Sequence, residues 1–281
     1  GLAQSIFQVG GSCGFSFGPL LAALFVRQQE GVAKFGVLAA LAIIALIPAC
    51  RWYSAQISER KAQTLPPAQP AGQTGGTLPS KTVWFVMFIL MFLVFSKNFY
   101  TVSISNYYTF YLMSKFGTSV QTVLLFVYLF SAALGTLIGG PVGDKVGRRL
   151  VIWWSILGSA PFALMMPYAN LTWTVILSII IGFIISSAFS AILVYAQELL
   201  PMKVGLVSGI FFGFAFGIAG ISSAVLGKIA DHSSIEFVYE LCSFFPLLGI
   251  VAYFLPRVRT IRAMKEESPQ PAPNSTATPG K

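Results

Sequence analysis

Gly10-Gly-Ser-Cys-Gly14-Phe15-Ser-Phe17-Gly18, near the start of the chain, returns 199 residues later as Gly209-Ile-Phe-Phe-Gly213-Phe214-Ala-Phe216-Gly217. Both stretches follow the pattern GxxxGFxFG, and both lie inside long apolar runs. Glycines four apart make a flat ridge on one helix face, where another backbone can approach closely. The same ridge carrying the same phenylalanines at a fixed offset predicts two helices in equivalent places of two related bundles.

Outward from this repeat, the chain divides into eight apolar runs, at about 2–26, 32–50, 82–112, 119–142, 150–168, 171–196, 204–229 and 235–255. Hydrophobic residues make up 56% of the chain and charged residues 10%, against about 25% charged in a soluble domain. Mean hydropathy is +0.76. No single soluble core of 281 residues hides that much apolar surface. A bilayer does, and a crossing helix needs about 20 mainly apolar residues. Glycine and proline inside several runs are tolerated there, because neighbouring groups re-satisfy the backbone. The fold class expected is therefore an all-α membrane protein.

Residues 51–80 differ in kind. They begin basic and polar at Arg51, Arg60 and Lys61, then become rich in Pro, Gly, Gln and Thr from Thr64 to Pro79. That composition reads as a flexible linker between two helical bundles. Residues 257–281 read as a disordered tail, Pro-, Ser- and Thr-rich from about Ser268. With the linker in the cytoplasm and the helices alternating, 13 Lys and Arg residues fall on the cytoplasmic side and four (Arg27, Lys34, Lys115, Lys228) opposite. Such a bias is what the positive-inside rule requires, and it places both ends of the chain in the cytoplasm. The net charge of +9 is thus accounted for by loops between apolar runs, not by a nucleic-acid surface.

The seventh run is the fifth of six after the linker, so the first run should be the fifth of an equivalent half. Four further helices are expected before Gly1, making this about eight of twelve. The division is then 1–50 as the last two helices of an N-terminal half, 51–80 as cytoplasmic linker, 81–256 as a complete six-helix half and 257–281 as cytoplasmic tail. Two such halves, related by an axis along the membrane normal, are the plan of one large class of secondary transporter.

Between the fourth and fifth runs stands Gly140-Pro-Val-Gly143-Asp144-Lys145-Val-Gly147-Arg148-Arg149. A tight turn between membrane helices needs glycine, and Asp144 can pair with the arginines or sit at a helix N-terminus. Read from spacing, the turn is either a conformational latch or a plain positive anchor. It resembles the pattern GxxxD(R/K)xGRR of the major facilitator superfamily, at the place where that family carries a copy in its second half. The first run resembles the family's antiporter motif GxxxGPxxGG through Gly14, Gly18 and Pro19, departing from it at Ala22 and Ala23. That resemblance implies helix packing through Gly10, Gly14, Gly18 and Pro19, and through Gly209, Gly213 and Gly217 in the repeat. It also implies a latch made of Gly140, Asp144, Lys145, Gly147, Arg148 and Arg149, with Glu198 (near Pro201 and Lys203) as a charged partner. Residues 103–111, 138–144 and 188–201 are similar to bacterial exporters of small anionic drugs within the family. This implies proton-coupled efflux of a phosphonate-like anion from the bacterial inner membrane, by a protein that is a monomer at full length.

Lys97 falls near the middle of the third run. A charge at mid-bilayer costs at least about 2.5–3.5 kcal/mol and faces a bundle interior or a water-filled cavity. Around a 3.6-residue helix, Thr101, Tyr108 and Tyr111 lie within about 40° of it, with Tyr100 and Ser105 at the edges of that face. One reading is a substrate-binding stripe of Lys97, Thr101, Ser105, Tyr108 and Tyr111 that attracts an anion. The other is a structural lysine paired to a residue in the preceding helices. No Asp or Glu falls mid-membrane in the eight runs. If protons drive transport, their carrier lies in the preceding helices, or Lys97 itself loses and regains a proton.

Other chemistry is not called for. Cys13, Cys50 and Cys242 stand apart, the one histidine, His232, follows Asp231 in a loop, and no metal spacing or cofactor motif occurs. An enzyme needs a nucleophile, a metal cluster or paired carboxylates, and a channel normally needs a polar ring from several subunits. Within transporters, an importer or an exporter of another small metabolite stays open, as does an inactive fragment. The partners expected are a small-molecule substrate, protons and lipid, with no nucleic acid.

Overall fold

The computed structural model describes residues 2–25, 35–62, 80–200 and 203–256, all-α with no strand among them. The helices are α1 (Leu2–Phe25), α2 (Phe35–Ala62), α3 (Ser80–Phe116), α4 (Gln121–Val146), α5 (Arg148–Leu157), α6 (Ala160–Met165), α7 (Leu171–Leu199), α8 (Val204–His232) and α9 (Ile235–Ser243). Short 3₁₀ segments at Met166–Tyr168 and Phe245–Phe254 continue α6 and α9. Six stretches among the described residues are long and apolar enough to cross a membrane: Thr82–Phe116, Gln121–Val146, Arg148–Tyr168, Leu171–Leu199, Val204–His232 and Ile235–Phe254. They coincide with the last six runs read from hydropathy.

Local chemistry sets the breaks. Pro161 and Pro246 lack the N–H that a continuing α-helix needs, and each lies where one helical piece gives way to the next. Asn170 and Ser234 cap α7 and α9, accepting from the amides of Trp173 at 3.0 Å and Phe237 at 3.2 Å. Gly147, between α4 and α5, has φ +107°, a conformation other residues rarely adopt.

Two readings change. α2 continues helically from Arg51 to Ala62, into the stretch read as linker. Its sequence there, with Ala, Gln, Glu, Arg and Lys, favours helix once the apolar turns before it have nucleated one. Positions 63–79 of the linker and the tail 257–281 lie outside the described residues. Second, the repeated glycine ridges make no close helix contact among the described residues. A side chain at Gly10, Gly14, Gly18, Gly209, Gly213 or Gly217 would meet nothing within 4 Å among the described residues.

Close approach occurs instead between α4 and α7, which run parallel and in register. Gly135, Gly139 and Gly143 face Phe183, Ser187 and Ala191, each 48 positions further on, and Ser131 donates to the Ile179 carbonyl at the same offset. α3 and α8 are also parallel: Asn98 donates to the Ala215 carbonyl at 3.1 Å and Asn106 to Ser223 at 3.0 Å, both 117 apart. α1 lies antiparallel on α4, with Phe17 against Phe126 at one end and the Leu2 amide donating to Asp144 at the other. The residues of α2 whose burial is described are exposed, apart from the half-buried Gln56. Two buried apolar clusters result. One takes Val86 to Val94 from α3, the other Tyr100 to Leu112. Lys97 sits between them.

Candidate functional site

Three consecutive polar residues, Ser96, Lys97 and Asn98, interrupt the apolar packing of α3 at the junction of the two clusters. Successive side chains on a helix point about 100° apart, so each meets a different neighbour. Ser96 donates to the Phe245 carbonyl at 2.6 Å. Asn98 donates to the Ala215 carbonyl of α8. Lys97, only 8% exposed, holds its Nζ 5.1 Å from the centre of the Phe189 ring of α7. No carboxylate pairs with it among the described residues. Its flanking polar groups are satisfied by backbone, whereas the cation has, among the described residues, the face of an aromatic ring.

The stripe expected around Lys97 divides. Thr101 and Ser105 are half-buried, and Thr101 Oγ1 is enclosed with no hydrogen-bond partner. Tyr108 and Tyr111 are fully buried core residues. Tyr108 donates to Ser178 at 3.1 Å, while Tyr111 donates to the Met166 carbonyl at 3.4 Å and stacks on Tyr239 at 4.1 Å. Helix periodicity placed these tyrosines on the lysine's face, but α6, α7 and α9 cover the far end of that face. Phe189 was missed: it is remote in sequence, and an aromatic residue in an apolar run carries no local sign of a cation above it.

At the α4–α5 turn, Arg148 ion-pairs with both Asp144, at 3.2 Å, and Glu198. It thereby ties the end of α4 to the end of α7. Asp144 and Glu198 side chains are about one-third exposed, at 37% and 36%, so each pair is worth roughly 0.2–1 kcal/mol. A contact of that size breaks readily. Gly147 donates to the Gly143 carbonyl at 3.1 Å to close α4, and Gly140 is buried within it. Arg149 turns away from the carboxylates: it donates to the Tyr253 carbonyl at 2.6 Å and lies 5.9 Å from that ring. Lys145 is exposed. Of the seven residues expected in the latch, Asp144, Arg148 and Glu198 make the ionic contact, and Gly147 makes the turn.

Glu198→Gln and Arg148→Lys are each expected to shift the conformational balance by about 1 kcal/mol. Single cysteines placed at the α4–α5 turn report this as a several-fold faster alkylation. Unchanged alkylation in both variants would show the contact to be a passive anchor.

Residues 86–279 match the Major Facilitator Superfamily. The fosmidomycin resistance protein of Escherichia coli (strain K12) is 58% identical over 260 residues, covering 91% of this chain and 63% of that protein. The uncharacterized MFS-type transporter YfnC of Bacillus subtilis (strain 168) is 38% identical over 266 residues, 93% of this chain and 64% of its own length. A probable sugar efflux transporter of Helicobacter pylori (strain G27) is 26% identical over 274 residues, 94% of this chain and 64% of its own. The chain thus spans less than two thirds of each of these relatives. Helices of membrane length and a family match across the six of them lead to one assignment: this multi-pass membrane chain belongs to the Major Facilitator Superfamily.

Proposed function

We propose that the protein is a secondary active transporter that exports a small organic anion, of the phosphonate type, in exchange for protons. It works by alternating access between two halves, of which residues 81–256 are one and residues 1–50 the end of the other. It resides in a bacterial inner membrane as a monomer, with both ends of this chain cytoplasmic. The observation that carries the reading is Lys97: a cation between two apolar layers, without a carboxylate partner among the described residues. An unpaired charge at that depth is expensive, and intramembrane charges mark substrate and ion pathways. The identity to a fosmidomycin resistance protein supports a phosphonate as cargo.

The test uses the product of the complete gene in everted vesicles energised to an acid interior. Adding fosmidomycin should raise the internal pH as protons leave in exchange for the drug. Drug accumulation with no change in the proton gradient would remove the coupling. A second reading, sugar export, is favoured by the names of the Helicobacter relatives. Glucose discharging the gradient while fosmidomycin does not would select it.

A further inference from the structure

The ring that faces Lys97 belongs to a chain of aromatic contacts. Phe189 meets Phe212 of α8 edge-on at 5.4 Å. Phe212 meets Phe7 of α1 at 6.4 Å and stacks on Phe216 at 6.3 Å. Phe189 and Phe212 are half-buried, while Phe7 and Phe216 are exposed. α1, α3, α7 and α8 therefore converge on one surface made of an ammonium and phenylalanine rings. The polar side chains beside Lys97 on its own helix are already engaged, Ser96 on the Phe245 carbonyl and Asn98 on the Ala215 carbonyl. Thr101 Oγ1, one turn along α3, is the nearby hydroxyl left without a partner among the described residues.

We infer that Lys97 and the rings of Phe189, Phe212 and Phe7 form one amphiphilic site, which selects organic anions bearing an apolar arm over inorganic anions and over neutral sugars. The inference rests on the anion-export reading and narrows its substrate class. A cation over a ring is a weaker partner than a cation hydrogen-bonded to an oxyanion. An acid group therefore draws the ammonium off Phe189 and takes the Thr101 hydroxyl as a second donor. The ring face so uncovered, continuous with Phe212 and Phe7, becomes the surface on which an apolar arm loses water. Each methylene buried there raises affinity about fourfold. Inorganic phosphate satisfies the lysine but buries none of the rings. A neutral sugar leaves the cation unpaired and brings no charge to draw it off the ring.

Binding of phenylphosphonate, methylphosphonate, inorganic phosphate and glucose to the purified complete protein in nanodiscs tests this by calorimetry. Phenylphosphonate should bind at least about tenfold more tightly than methylphosphonate or phosphate. Phe212→Leu and Phe189→Leu, which keep apolar bulk and hence folding, should each remove most of that preference. Lys97→Gln should remove binding of every anion. Equal affinity for phosphate and phenylphosphonate, or a preference that survives both leucine variants, overturns the amphiphilic site and leaves anion export standing. Anion binding that survives Lys97→Gln overturns both.

Discussion

Lys97→Gln lowers export by roughly ten- to a hundredfold, while the protein still inserts and melts at no lower a temperature. The magnitude follows from losing the charge-assisted contact to the substrate, about 1.5–3 kcal/mol, at tenfold per 1.4 kcal/mol. The stability half of the expectation comes from the cation's surroundings. Burial between two apolar layers costs at least about 2.5–3.5 kcal/mol, and the face of Phe189 returns about 0.5–2 kcal/mol. The folded protein therefore keeps this charge at a net cost, which glutamine removes. If Lys97 instead pairs structurally with a carboxylate elsewhere in the complete protein, glutamine strands that partner and destabilises by about 3–5 kcal/mol. Drug accumulation and a thermal melt on the same preparation separate the two. Loss of both export and folded yield means the lysine is structural, and retained export ends the substrate role. Lys97→Arg keeps the charge on a planar, longer group, and intermediate export is expected of it.

Gly135→Val sharply lowers the yield of folded protein. A Cβ at Gly135 would land on the Phe183 carbonyl oxygen, and one at Gly139 would lie 2.6 Å from Ser187 Cβ and 2.7 Å from its Cα. Both obstacles are fixed to the α7 backbone, so no side-chain rotation relieves them. α4 and α7 would have to separate along their shared register, giving up the Ser131 to Ile179 bond at 2.6 Å and the packing of buried neighbours. Overpacking of a well-packed interior typically costs about 1–3 kcal/mol, and occasionally more. A clash against rigid backbone belongs at the upper end. Gly139→Val should behave likewise, whereas Phe130→Leu, on an exposed face of α4, should leave monodisperse yield within about twofold. Size-exclusion profiles of the detergent-extracted variants decide it. A sharp peak at normal yield for Gly135→Val would show that α4 and α7 do not pack this closely.

The Arg148–Glu198 ion pair and the buried cation both touch α7. This helix carries Phe189 under the ammonium and, nine residues on, Glu198 against Arg148. Motion of α7 relative to α3 alters the first contact, and motion relative to α5 the second.

Reading along the chain was enough for every feature that depends on composition or on neighbours within a few turns. The last six membrane runs, the break at Gly147, the isolated charge at Lys97 and the charged turn at 140–149 are legible there, because a bilayer demands continuous apolar length and a tight turn demands glycine. Packing in three dimensions was needed wherever two candidates looked alike locally. GxxxG spacing occurs at Gly10 and Gly14, at Gly209 and Gly213, and at Gly135, Gly139 and Gly143, yet among the described residues it is the last set that faces another helix, because α7 lies against that side of α4, with its backbone at Gly135 and Gly139 and the Ala191 side chain at Gly143. Arg148 and Arg149 are adjacent and chemically identical, but α7 presents a carboxylate to one and the Phe245–Phe254 segment a carbonyl to the other. Lys97 and Tyr108 share a helix face, and what distinguishes a cation resting on a ring from a phenol locked in the core is which neighbouring helix covers each level of that face. Periodicity specifies a direction around one axis, and the position of a second axis is a property of the assembled bundle.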